Sequence, residues 1–296
     1  MADLQFLKGT GVALVTPFDR NGKIDFQALG RIIEHTITGG VEYLVTLGTT
    51  GESVTLSQEE KNQVVRFTVQ EVAARVPVVI GIGGNNTAEL LAEMKALDTS
   101  GLSAILSSSP AYNKPSQEGI FRHYMALAEQ SPLPIIIYNV PGRTSSNLTA
   151  DTTLRLAHAS PIFCGIKEAS GDLVQASKII KHKPSHFHVI SGDDPLALGL
   201  VAIGGDGVIS VIANAYPRQF SDLIRSALAG NYTTAAKVNL KLIDVHQWLY
   251  VDGNPAGIKA ALHFLGLCDN YLRLPLVPIS STTNSKLISE LQKLNA

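Results

Sequence analysis

Cysteine is scarce in this chain of 296 residues: Cys164 and Cys268 stand far apart and match no CxxC or Cys/His spacing. That argues against a disulfide framework or a structural zinc site and fits a reducing compartment. Excess charge of either sign is also missing, since 24 Lys and Arg against 25 Asp and Glu leave a net of −1, and no long run of like charge occurs. A nucleic-acid or membrane-surface role has no electrostatic footprint here. No stretch reaches the roughly 18 apolar residues of a membrane span. The opening MADLQFLKGTGVALVTP carries Asp3 early and lacks the apolar core of a signal peptide. The expectation is a cytoplasmic protein. With 45% hydrophobic residues and 17% charged, the chain can bury a large core, and its composition excludes disorder.

Several motifs are absent too. GTGVAL at 9–14 and GIGGNN at 81–86 put Leu14 and Asn86 where a dinucleotide fingerprint needs its third glycine, and no P-loop occurs. Ser107, Ser108 and Ser109 have no glycine frame of the G-x-S-x-G kind. His182, His186 and His188 precede or begin an expected strand, at the barrel end away from chemistry, and read as an edge rather than a metal site. Cys164, with no charged neighbour to lower its pKa, reads as strand filler.

What the chain does have is a series of Val/Ile-rich apolar runs: 11–17, 43–48, 77–83, 102–108, 134–140, 162–168, 186–192 and 206–211. Continuous runs of this kind suit strands buried on both faces. Their mean spacing of about 28 residues suits βα units. Helix-start signals lie between them at Asp25, Ser57, Asn86, Ser116, Thr149, Asp172 and Asp194, with Ser57 and Glu60 forming a capping box. Eight alternating units close most naturally into an α/β (β/α)8 TIM barrel, with an open doubly wound sheet as the alternative. Residues 1–215 are read as the barrel carrying the site, and 216–296 as a C-terminal α-helical extension that is no independent domain. Helices are expected near 217–229, 232–250, 254–266 and 284–295.

In such a barrel, chemistry collects where the strands end. Lys167 follows FCGI at the end of the sixth run, where a desolvated site would favour its neutral amine, a nucleophile able to form a Schiff base with a carbonyl without any metal. The alternative is a Lys167–Glu168 surface ion pair. Tyr138 could exchange protons with such an intermediate or be a core-edge tyrosine. Arg143, after the Pro141-Gly142 turn, could clamp a carboxylate or be a solvated loop residue. Thr49 and Thr50, between glycines, could bind a small carboxylate or form a plain βα turn.

GTTGE at 48–52, SPAYNKPSQEG at 109–119, YNVPGRT at 138–144 and GIKEASGD at 165–172, in that order along essentially the whole chain, resemble the dihydrodipicolinate synthase family. That family lies within the N-acetylneuraminate lyase superfamily of class I aldolases. The resemblance implies that Lys167 forms a Schiff base with pyruvate and Tyr138 moves its protons, with Thr49 and Tyr112 completing a relay. It implies that Thr50 and the backbone at Ile209 hold the pyruvate carboxylate, and that Arg143 positions L-aspartate 4-semialdehyde. No cofactor is implied. Tyr112 would cross a tight dimer interface in a homotetramer built as a dimer of dimers. The alternatives are a pyruvate-releasing sugar-acid or N-acetylneuraminate lyase, against which Arg143 and Thr49 weigh, and a non-catalytic binding protein on the same barrel. A lysine feedback site in the family corresponds to Ser53, Gln58, Lys61, Asn85, Glu89 and Ala111. Ser53, Asn85 and Glu89 fit it, but Gln58, Lys61 and Ala111 depart, so weak or absent lysine inhibition is expected.

Overall fold

A computed structural model describes residues 4–295; Asp3 lies outside the described residues. The chain runs β1 (Gly9–Ala13), α1 (Phe26–Thr38), β2 (Tyr43–Thr46), α2 (Gln58–Val72), β3 (Val78–Gly81), α3 (Thr87–Ala96), β4 (Ala104–Ser108), α4 (Gln117–Gln130) and β5 (Ile135–Asn139). A one-turn α5 (Pro141–Thr144) precedes α6 (Ala150–Ala159), β6 (Phe163–Glu168), α7 (Leu173–His182), β7 (His188–Ser191), α8 (Ala197–Ala202) and β8 (Gly207–Ser210). Four helices end the chain: α9 (Pro217–Leu228), α10 (Tyr232–Tyr250), α11 (Ala256–Phe264) and α12 (Ser281–Asn295).

The eight strands pair in sequence order, all parallel, and β1 closes on β8 through Gly9↔Gly207 and Gly11↔Ile209. The expected (β/α)8 barrel is the fold. Alternation along each strand makes two cores. Side chains such as Val45, Val79, Ile136, Cys164 and Ile190 fill the interior, while Leu44, Ile105, Ile137, Ile166 and Val189 pack outward under the helices. Cys164 is wholly buried, and burial pushes its thiol up to about 12, as befits filler. Gly11 is required by this packing, because a Cβ there would stand 2.2 Å from the Tyr43 ring. Phe6, within the short 3-10 helix Gln5–Leu7, meets Tyr43 edge-on at 5.5 Å and adds to the interior core.

Side-chain caps form at Asp25, Ser57, Asn86, Ser116, Thr149 and Asp172, and Ser57 with Glu60 completes its capping box. Asp194 departs from the expectation. The residue before α8 is Leu196, without a side-chain cap, and the buried Asp194 carboxylate instead accepts from the amides of Val211 and Ile212 and from the Tyr250 hydroxyl. It ties the loop after β7 to the loop after β8 and to α10. The first strand also starts earlier than its apolar run: β1 ends at Ala13, and the Thr16 hydroxyl turns to the Gly51 carbonyl at 2.7 Å.

Helix α9 packs against β1, β8, α1 and α8, the place of the barrel's eighth helix. We therefore propose that the extension proper begins after α9, with α10–α12. His188, at the start of β7, has its Nδ1 3.2 Å from an Asp206 carboxylate oxygen, so this histidine has a structural partner.

Candidate active site

Strands β5 and β6 run in register with Tyr138 beside Lys167. Both side chains enter a cavity of about 640 Å³ also lined by Thr49, Thr50, Arg143, Gly192, Asp193, Val211, Tyr250 and Asn254. The ends of β2, β5, β6, β7 and β8 thus converge at one mouth, as the C-terminal face of a barrel requires. The Lys167 ammonium lies 4.5 Å from the centre of the Tyr138 ring. Lysine ion pairs among the described residues are formed by Lys183, Lys259 and Lys293, and Lys167 forms none. The expectation of a Lys167–Glu168 surface pair as the alternative is overturned. Both residues are buried, successive strand residues face opposite ways, and Glu168 accepts from Asn139, Ser170 and Gln175 on the outer side.

Burial lowers the Lys167 amine to about 8; the Asp194 charge opposes this and Arg143 reinforces it. A substantial fraction is therefore neutral near pH 8. The Tyr138 phenol is raised by burial, with the Arg143 charge and the Thr49 side chain pulling it back. Gly192 makes room for the amine's stem: a Cβ there would lie 2.7 Å from the Ala169 Cβ and 3.0 Å from the Lys167 Cε. Any other residue at 192 would push the nucleophile.

The GTTGE segment leaves β2 through an unusual backbone. Leu47 and Glu52 both adopt left-handed conformations, with φ of 56° and 52°, on either side of Thr49–Gly51. Thr50 accepts at 2.9 Å from the Asn254 side-chain amide, whose Oδ1 is buried without a partner. Arg143 sits on α5 and donates to the Asn254 carbonyl at 3.4 Å. Asn254 thus bridges both expected carboxylate binders. Neither it nor Tyr250 was expected from sequence; the Asn254-Pro255 turn signal was the available clue. Asp193 is a further unanticipated wall residue, its carboxyl raised by burial and by neighbouring Asp194.

Two expected residues stand apart from this group. Ile209 is buried in the interior core, and Val211, two residues on, lines the cavity instead. Tyr112 is 90% exposed, with φ of 68°, and does not line the cavity of its own chain. Of the six positions matched to a lysine site, Ser53 and Lys61 line the same cavity, and the Asn85 side chain accepts from the Ala111 amide at 2.7 Å.

A parallel barrel that presents a desolvated lysine beside a buried tyrosine at its mouth defines a Schiff-base-forming enzyme of the class I aldolase type. The profile of the Dihydrodipicolinate synthetase family matches residues 6–294. Two 4-hydroxy-tetrahydrodipicolinate synthases are close relatives. That of Parabacteroides distasonis is 48% identical, over 100% of this chain and 99% of its own. That of Flavobacterium psychrophilum is 50% identical, over 96% and 97%. Among solved structures, the chloride-inhibited dihydrodipicolinate synthase of Acinetobacter baumannii complexed with pyruvate superposes with a TM-score of 0.94 at 39% identity, covering 98% of this chain and 99% of that one. The chain belongs to the dihydrodipicolinate synthetase family. No helix among the described residues is long and apolar enough to cross a membrane.

Proposed function

We infer that this chain acts as a 4-hydroxy-tetrahydrodipicolinate synthase, condensing pyruvate with L-aspartate 4-semialdehyde in the diaminopimelate route to lysine. The observation that carries the mechanism is the buried Lys167 amine, lowered to about 8 and 4.5 Å from the Tyr138 ring. Its lone pair attacks the pyruvate ketone, and loss of water gives the imine. The protonated imine nitrogen takes up the electron pair released when a proton leaves the pyruvate methyl carbon, forming an enamine. That carbon attacks the aldehyde, and the new alkoxide gains a proton. The semialdehyde's own amine then adds to the imine carbon, the C–N bond to Lys167 breaks, and the ring closes. One water leaves overall.

Tyr138 serves as proton donor and acceptor, its raised pKa keeping it protonated until a stronger base forms. Thr49 adjoins it, and Thr50 with nearby backbone amides takes the pyruvate carboxylate. Arg143 takes the semialdehyde carboxylate, which favours this substrate over sugar acids. Ile209 contributes through its backbone. The exposure of Tyr112 supports its insertion into a neighbouring subunit's site within a cytoplasmic homotetramer. Lysine inhibits weakly or not at all, because Gln58, Lys61 and Ala111 alter the family's site. Submillimolar lysine shutting down turnover would overturn that statement.

Borohydride reduction with pyruvate, followed by intact-mass and peptide analysis, tests the central step; the expected adduct is on Lys167. A coupled assay with L-aspartate 4-semialdehyde tests the acceptor. An adduct without semialdehyde consumption, together with cleavage of a sugar acid or N-acetylneuraminate, would move the chain to a pyruvate-releasing lyase.

A further inference from the structure

The turn that carries Thr49 and Thr50 is anchored by residues far beyond the barrel. Glu52 ends that turn in the left-handed region, a conformation unfavourable for a residue with a Cβ, so it must be held by its surroundings. What holds it is a buried charge group. The Lys259 ammonium on α11 is wholly buried 2.5 Å from the Glu52 carboxylate and also donates to the Tyr271 carbonyl at 2.9 Å. The Arg273 amide donates to the other Glu52 oxygen at 3.2 Å.

The Arg273 guanidinium extends the anchor to the next turn, donating to the Thr55 carbonyl, to the Gly22 carbonyl and to both carboxylate oxygens of Glu60. The Phe18 ring packs against both cations, its centre 4.2 Å from the Lys259 ammonium and 4.6 Å from the guanidinium. Asn254, five residues before Lys259, holds Thr50 from the same side. One appended segment therefore holds the threonine turn at Thr50 and again at Glu52, where the turn ends.

We propose that Lys259 and Arg273 are positioning residues for pyruvate: Lys259 through the Glu52 carboxylate, and the Arg273 guanidinium through the Thr55 carbonyl on the following turn, set the backbone of Thr49 and Thr50. This rests on the reading of those threonines as the carboxylate binders. Neither cation reaches the reacting atoms; their effect is on where the carboxylate sits relative to Lys167. The C-terminal extension is thus part of the active site's construction.

The test compares Lys259→Met, Glu52→Gln, the double variant and the milder Arg273→Lys in the full chain. Borohydride trapping is titrated with pyruvate, and melting is followed in parallel. In the single Lys259 and Glu52 variants both stability and pyruvate half-saturation suffer. In the double variant no uncompensated charge remains, so stability recovers, yet pyruvate half-saturation stays raised, by about tenfold to a hundredfold. The KM for the semialdehyde, held by Arg143, stays within about twofold of the parent value. A purely structural role would restore both readouts together, and a folded double variant with unchanged pyruvate half-saturation overturns the proposal. If the double variant does not fold, Arg273→Lys decides, since it keeps the charge and loses the paired contacts: an unchanged pyruvate half-saturation there also overturns it. Absence of any adduct on the parent chain would instead refute the functional reading beneath it.

Discussion

Two lysines lie buried among the described residues, and they differ in what compensates them. Lys259 sits in the wall between the extension and the barrel with a carboxylate at 2.5 Å and a carbonyl at 2.9 Å. Lys167 sits in the barrel mouth with an aromatic face at 4.5 Å and no ion pair. Burial lowers the pKa of both, and for Lys259 the Glu52 charge opposes it directly. A partnered buried amine stays charged and serves as an anchor. An unpartnered one gives up its proton more readily and becomes a nucleophile.

Exchanging each lysine for methionine is the sharpest way to break this contrast. Lys167→Met abolishes the pyruvate adduct and lowers turnover by on the order of 10⁴-fold or more. At pH 7 it also raises stability, by up to about 3 kcal/mol, because the folded chain no longer desolvates an unpaired cation. Lys259→Met does the reverse to stability, leaving Glu52 buried without its counter-charge at a cost of about 3–5 kcal/mol. Thermal melts of the two variants side by side check the signs. Equal losses of stability would mean that the two lysines are equivalent and the contrast false.

Tyr138→Phe separates the chemistry of the mouth from its packing. The ring that faces the ammonium is kept and only the hydroxyl is lost, so folding and the trapped imine survive. Steady-state turnover falls by about 10²–10⁴-fold, the usual contribution of a positioned acid–base group. A fall of less than about threefold would assign the proton transfers elsewhere.

The barrel side of the contrast was legible in the sequence and the anchor side was not. Eight Val/Ile runs showed because strands covered on both faces need no alternation, and six caps showed because a cap lies within three residues of the amide it serves. Lys167, Tyr138, Arg143 and the threonine pair could be picked out because each ends or follows such a run. Asp194 was misread as a helix start since nothing local reveals that its carboxylate holds amides at 211 and 212. The Glu52 anchor joins residues 221 positions apart, and Asn254 reaches Thr50 across 204; neither contact leaves a periodic trace. One orientation also escaped the sequence: that Lys167 and Glu168 face opposite sides of β6.

The smallest effect comes from pH and sharpens the contrast most closely. With its amine at about 8 in the folded chain against 10.5 ordinarily, Lys167 is about one-tenth neutral at pH 7, roughly 300-fold more than a solvated lysine. The rate of pyruvate imine formation therefore rises about tenfold from pH 7 to a plateau above pH 9, with its midpoint near 8. Between the folded and unfolded pKa values the unfolded chain binds more protons, so Lys167's contribution makes stability increase with pH across that window. Below it, the full penalty of the buried charge is present. Neighbouring charges set the midpoint in opposite directions: Arg143→Ala removes a repelling charge and raises it, while Asp194→Asn removes an attracting one and lowers it. Rapid-quench trapping with borohydride at low pyruvate across pH 6.5–10 reads all three. A flat profile, or one centred near 10.5, would show that burial does not activate Lys167.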